Sequence, residues 1–155
     1  GNWAYPAVGM TDAETVFALV TGLSGRLYLS GFLGELRPAQ QALVAEAVGL
    51  HKTLRGGLTA SEPFWPLGLP VWDAEVVCLG LRDGAQTLLF VWDRSEEPNG
   101  FTIPGMREAE TLFPATAAAG GSADGWTIES GVDGIRVETP SGPGARVLRV
   151  SEGRS

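Results

Sequence analysis

Residues 71–94 read VWDAEVVCLGLRDGAQTLLFVWDR, and this stretch decides how the second half of the chain folds. Its two flanks, 71–82 and 86–94, are apolar and rich in Val, Leu and aromatic residues. Asp83-Gly84 between them is a strong hairpin signal, because this pair accepts the backbone angles of a tight turn. Toward the C-terminus, further strands are expected at 101–103, 108–113, 126–130, 135–139 and 146–151. Asp133-Gly134 marks another turn, and 117–125 is a loop of small residues. About seven short strands broken by frequent turns read as an antiparallel β-sandwich over 71–155.

Toward the N-terminus the pattern lengthens. Residues 61–70 read SEPFWPLGLP, a connector held extended by its three prolines, so no helix is expected to cross it. Before it, Leu43, Val44, Ala47, Val48, His51 and Leu54 form one apolar stripe of a helix that opens at Pro38, with Gly56-Gly57 as the expected stop. Arg26 to Ser30, bounded by glycines, reads as a short buried strand. An earlier helix starts at Thr11 and Glu14, which stand in capping-box spacing, and shows Val16, Leu19, Val20 and Leu23 on one face up to about Gly25. Gly1 to Met10 reads as a loop. Residues 1–60 are thus a helix–strand–helix piece of an α/β layer, and the whole chain is an α+β fragment.

The 155 residues leave room for one compact domain or one plus part of another. With 44% hydrophobic residues and 5 Trp, 6 Phe and 2 Tyr, there is ample material for a packed core. Eleven basic against 18 acidic residues give a net charge of −7, a sign that repels phosphate backbones and anionic lipid, so neither nucleic acid nor a membrane is an expected partner. The acids concentrate after residue 70, where 13 of them stand against 7 bases. One cysteine, Cys78, and one histidine, His51, supply neither an internal disulfide nor a zinc constellation, and no cofactor is implied. No apolar run reaches membrane-spanning length, and the cytoplasm is the expected compartment. The chain begins at Gly1 rather than Met, so it is expected to be a piece of a longer protein whose own start lies upstream.

Three stretches, in order, carry a family likeness: Asn2-Trp3-Ala4-Tyr5-Pro6, Gly25-Arg26-Leu27-Tyr28-Leu29-Ser30-Gly31, and Pro63-Phe64-Trp65-Pro66-Leu67-Gly68-Leu69-Pro70. Together they resemble the C-terminal part of α-galactosidase-like (melibiase) glycoside hydrolases of family 36. The helix running from Ala42 to Lys52 resembles the last barrel helix of that family, and Leu88 to Trp92 a strand of its terminal β domain. The resemblance implies that 1–60 are the last helix–strand–helix elements of a (β/α)8 barrel, 61–70 the connector, and 71–155 the terminal sandwich. It also implies a retaining hydrolase with two catalytic aspartates, whose motifs lie upstream of Gly1, so this chain is expected to carry no catalytic residue. His51 departs from the family, which more often has Tyr there. The implied partners are a galactoside or related oligosaccharide through the parent enzyme, and the missing barrel on a separate chain or a second copy of this one. A free-standing carbohydrate-binding β-sandwich is the alternative.

Under the resemblance Trp3, Ser30 and Gly31 fall on the face where βα loops build active sites, and they are the candidate substrate-binding residues. Trp65 is expected to wedge between barrel and sandwich, with Trp72, Trp92 and Trp126 filling the sandwich core. Asp73 and Glu75, two apart on an expected strand, and Glu96-Glu97 read as solvated carboxylates. His51 reads as a satisfied half-buried side chain and Cys78 as an inert core thiol.

Overall fold

The computed structural model describes residues 1–115 and 124–152, so most of the loop expected at 117–125 lies outside the described residues. The chain opens with a strand–helix–strand unit: β1 (Asn2–Ala4), α1 (Asp12–Leu23) and β2 (Leu27–Leu29). The two strands pair in parallel, with Trp3 opposite Tyr28. The expected loop at Gly1 to Met10 therefore contains β1. Three residues show no period of their own, and this strand exists through its partner.

Helix α1 begins where its capping box dictates: Glu14 N–H donates to Thr11 Oγ1 at 3.2 Å, and Thr11 N–H donates to Glu14 Oε2 at 2.7 Å. Those bonds hold the Glu14 carboxyl below its ordinary range. A 3-10 turn (Leu33–Glu35) leads to α2 (Pro38–Leu58), which runs through Gly56-Gly57 rather than stopping there. Gly57 is where the helix meets the Asp83-Gly84 hairpin: an added Cβ would strike the Asp83 carboxylate, so the glycine serves a close approach. Gln40, fully buried at the start of α2, places Nε2 2.8 Å from Ala7 O, 3.2 Å from Met10 O and 3.1 Å from Thr15 Oγ1. One amide thus ties the β1–α1 loop and α1 to α2.

Eight further strands follow among the described residues: β3 (Glu62–Phe64), β4 (Val76–Arg82), β5 (Thr87–Asp93), β6 (Asn99–Pro104), β7 (Met106–Phe113), β8 (Thr127–Ser130), β9 (Gly134–Thr139) and β10 (Gly144–Glu152). They form a five-stranded sheet in the order β3-β4-β5-β10-β7 and a three-stranded sheet β6-β9-β8; every pairing in both is antiparallel. The Asp83 turn forms as read, with Asp83 Oδ1 accepting from Ala85 N at 2.7 Å and Gln86 N at 2.8 Å. At the second turn Gly134 has φ +145°, and a Cβ there would run into the Ile103 carbonyl.

Both faces of the large sheet are buried. Leu88 and Phe90 of β5 join Leu81, Phe113, Ala145 and Val147 in a core shared with α1 and α2. Leu89 and Val91 face the other way, toward Cys78, Leu148, Ile103, Ile135 and Val137 between the two sheets. Three expectations change. The stretch read as strand from Val71 begins at Val76, because Val71 to Ala74 form a turn in which Ala74 N–H donates to Val71 O at 3.1 Å. Trp72 on that turn is 97% exposed, and Trp92 packs on the helix side of the sheet; only Trp126 joins the core between the sheets. The connector 61–70 contains β3, which pairs with β4 and belongs to the large sheet. The whole is an α+β chain, mostly antiparallel sheet with few helices.

Candidate functional site

In β1 and β2 alternate residues point to opposite faces. Asn2 and Ala4, with Leu27 and Leu29, turn toward α1: Asn2 Nδ2 donates to Thr21 O at 3.1 Å and Ser24 Oγ at 2.8 Å, Ala4 is fully buried, and both leucines pack into the helix-side core. Gly22 permits this contact, since a Cβ there would meet Leu27 and Ala4. Trp3 and Tyr28 must then face away from the helices. They stack with ring centroids 5.3 Å apart and planes 22° from parallel. Trp3 is 66% exposed and Tyr28 40%, so the strand expected to be buried at Arg26 to Ser30 is buried on one face only.

At the C-terminal ends of the two strands, Ser30 N–H donates to Ala4 O at 3.1 Å, which extends the parallel ladder by one bond. Gly31 follows with φ +99°, and the space a Cβ would take is filled by the Tyr5 ring and the Pro6 carbonyl. Ser30 and Gly31 are thus brought beside Ala4 to Pro6, with Trp3 one residue back on β1. Tyr5 and Phe32 flank them and are exposed. Sequence reasoning left Tyr28 out. The signal was the alternation Leu27-Tyr28-Leu29: two leucines committed to the helix side leave the tyrosine on the other face.

The remaining candidates are structural. His51 Nε2 lies 3.0 Å from Gly25 O and 3.4 Å from Leu27 N, and latches the α1–β2 turn onto α2. Asp73 and Glu75 sit in the turn before β4 rather than on a strand. Glu96 and Glu97 are exposed on a loop. Cys78 is buried, and its thiol is pushed up to about 12 by loss of solvent. Asp93 is a buried carboxylate that accepts from Ser95 N at 2.8 Å and from the hydroxyls of Ser95 and Thr139, tying β5 to β9. Arg146, also buried, pairs with Asp124 and stacks on Trp126 at 4.5 Å, and burial lowers its guanidinium to about 10. Among the described residues no group of three His, Cys, Asp or Glu side chains is placed to hold a metal ion. No helix among them is long and apolar enough to cross a membrane.

No protein-family model and no curated protein sequence matches the chain. Among solved structures it is similar to an α-amylase of Geobacillus thermoleovorans complexed with acarbose, with a TM-score of 0.62 and 9% identity over 92% of this chain and 34% of that one. It is similar to AmyP in complex with maltose, with a TM-score of 0.59 and 10% identity over 93% of this chain and 35% of that one. A variant of the trehalulose synthase MutB of Pseudomonas mesoacidophila gives a TM-score of 0.52 and 18% identity over 72% and 18% of the two chains. At these identities the likeness is one of fold. The chain shares its fold with part of each of these enzymes, and it spans between 18% and 35% of their length. These three enzymes are of amylase and trehalulose-synthase type rather than α-galactosidases.

Proposed function

We propose that the chain is the closing portion of a glycoside hydrolase acting on α-linked sugars. In this reading β1–α1–β2–α2 are the last two strand–helix units of a (β/α)8 barrel, and the two-sheet sandwich is the terminal domain packed against them. The observation that carries it is the parallel pairing of β1 and β2 through α1, which is the repeating unit of such a barrel. The outer edges of this pair are unbonded among the described residues, as they would be where neighbouring strands are to be added. The fold likeness to amylase-type enzymes supports a carbohydrate-acting parent. The three ordered sequence stretches support an α-galactoside as its sugar.

Trp3, Ser30 and Gly31 then belong to the mouth of the barrel. The Trp3–Tyr28 stack offers a flat apolar wall to the CH face of a sugar, and the Ser30 hydroxyl a hydrogen-bond partner. Gly31 keeps the strand end close to Tyr5. A retaining mechanism needs two carboxyl groups about 5–5.5 Å apart, and these come from strands outside this chain. The work of this chain is to close the barrel, shape its mouth and pack the sandwich, in the cytoplasm, with the rest of the barrel or a second copy over its open strand face. The test is turnover: the 155-residue chain should hydrolyse neither an aryl α-galactoside nor an aryl α-glucoside, and the longer parent should hydrolyse one of them. Which one it cleaves separates the sequence likeness from the fold likeness. Activity that stays with the isolated chain through further purification refutes the proposal.

A further inference from the structure

The connector divides its aromatic residues between the two sides of the sheet edge. Phe64, at the end of β3, covers Gly80, where an added Cβ would strike its ring, and Arg82 stacks on that ring at 4.4 Å. Trp65 turns to the helix side, where with Phe17 and Thr21 of α1, Ser24 at the C-cap of that helix, Trp72 and Trp92 it borders an open groove of about 590 Å³. Much of the apolar surface at the rim stands free: Trp72 is 97% exposed and Val71 68%. This rim is held in place, because Arg94 donates to Trp72 O at 3.1 Å and through Nε to Ala74 O at 3.0 Å. An apolar patch fixed in this way marks an interaction surface.

We infer that the groove seats an amphipathic helix, the neighbour of α1 in an α/β layer that continues past the free edge of β1. This rests on the reading of β1–α1–β2–α2 as part of such a layer. The position follows from the helix geometry. Asp12 and Thr15 mark the side of α1 that meets α2, through Arg37 at 2.8 Å and Gln40 at 3.1 Å. At about 100° per residue, Phe17, Thr21 and Ser24 lie roughly half a turn round from that side. In a layer whose helices follow its strands in order, a strand added beside β1 brings its helix to the side of α1 away from α2, over the groove.

The chemistry of the groove favours a helix over a sugar. Its polar groups are already engaged: Trp92 Nε1 donates to Thr21 Oγ1 at 3.1 Å, Ser24 Oγ donates to Thr21 O at 2.9 Å, and Arg94 is spent on backbone carbonyls. A sugar needs partners for its hydroxyls, whereas the apolar face of a helix needs only the wall that Phe17, Trp65, Val71 and Trp72 provide.

Thiol labelling tests this, because the one native cysteine, Cys78, is buried and its thiol pushed up to about 12. Val71→Cys places an accessible thiol on the rim and keeps both indoles. In the 155-residue chain it should react with a maleimide as an unhindered thiol does, and in the longer parent at least tenfold more slowly; Val132→Cys, on a distant exposed turn, should react equally fast in both. Equal rates at position 71 in a parent that does hydrolyse α-glycosides overturn the groove and leave the proposed function standing. A parent with no α/β layer overturns both. Protection of the 155-residue chain by added maltotriose, or by raising its own concentration, replaces the helix with a sugar or a second copy and overturns the inference as well.

Discussion

Replacing Gln40 should loosen the join between the strand–helix–strand unit and α2 more than any other single polar change. Its amide Nε2 reaches Ala7 O, Met10 O and Thr15 Oγ1, while its Oε1 accepts from Arg37 N at 3.1 Å at the helix start. Gln40→Leu keeps the volume and removes these bonds. Thr15 keeps a partner, since its hydroxyl also donates to Thr11 O at 2.9 Å; Ala7 O still accepts from Met10 N at 3.0 Å and Met10 O from Arg37 Nη2 at 3.0 Å, whereas the Arg37 N–H loses its partner outright. At about 1 kcal/mol net for each neutral bond, and more where a buried group is left unpaired, the loss is about 2–4 kcal/mol. For a chain of this size that lowers the melting temperature by roughly 4–16 °C.

Gln40→Glu adds a signature that a mere packing defect lacks. It keeps the shape but sets carboxylate oxygens against carbonyl oxygens in a fully buried site, so the carboxyl is expected to hold its proton above the ordinary range. The folded state then binds more protons than the unfolded one from about pH 4 upward. Stability relative to the parent sequence therefore falls as pH rises through the raised value and partly recovers in acid. Urea melts across pH 4–8 measure this. A Gln40→Leu variant within about 0.5 kcal/mol of the parent sequence, or a Gln40→Glu variant with no pH dependence of its own, refutes the staple.

Gly134→Ala should cost about 2 kcal/mol or more in a thermal melt, since φ is +145° and the new methyl meets the Ile103 carbonyl, whereas Gly84→Ala, with open space around it, should cost less. The Cys78 thiol should resist a disulfide reagent at pH 8 in the folded protein and react at once in denaturant, because its titration lies near 12. The Arg146 guanidinium titrates near 10 in the folded chain and higher in the unfolded one, so the unfolded state holds more protons above pH 10 and this residue's contribution to stability rises there with pH. Arg146→Met should flatten that rise and cost under about 1 kcal/mol at pH 7, because it removes a buried charge and leaves Asp124 half in water.

The sequence announces an element when its cause is local. The Thr11–Glu14 capping box and the Asp83 turn lie within a few residues of the bonds they make, and both form as read. What was not legible depends on distant partners. β1 exists because β2 lies beside it, Gly57 stays helical because the Asp83 turn arrives against it, and Trp72 leaves the strand because Arg94 holds the turn that carries it. The candidate site divides in the same way. Trp3, Ser30 and Gly31 could be named from a resemblance, but Tyr28 enters only once Leu27 and Leu29 are known to face α1.

The continuous apolar run of β5 held one more message, since Leu88 to Val91 carry no polar alternation and all four are buried. A strand of that kind needs cover on both faces. One face has the small sheet; the other is covered, among the described residues, by α1 and α2, so residues 1–60 and the sandwich share one core and cannot be parted at the connector. Excising residues 1–60 uncovers Leu81, Leu88, Phe90, Phe113, Ala145 and Val147 on one surface. At about 1.5–3 kcal/mol for each of the larger side chains, the loss matches or exceeds the roughly 5–15 kcal/mol by which such domains are stable. Residues 61–155 expressed alone should therefore bind a hydrophobic dye, associate, and show no cooperative melt. A monomeric, cooperatively melting product would reinstate the free-standing carbohydrate-binding sandwich and remove the main physical reason for reading the helices as part of the same body.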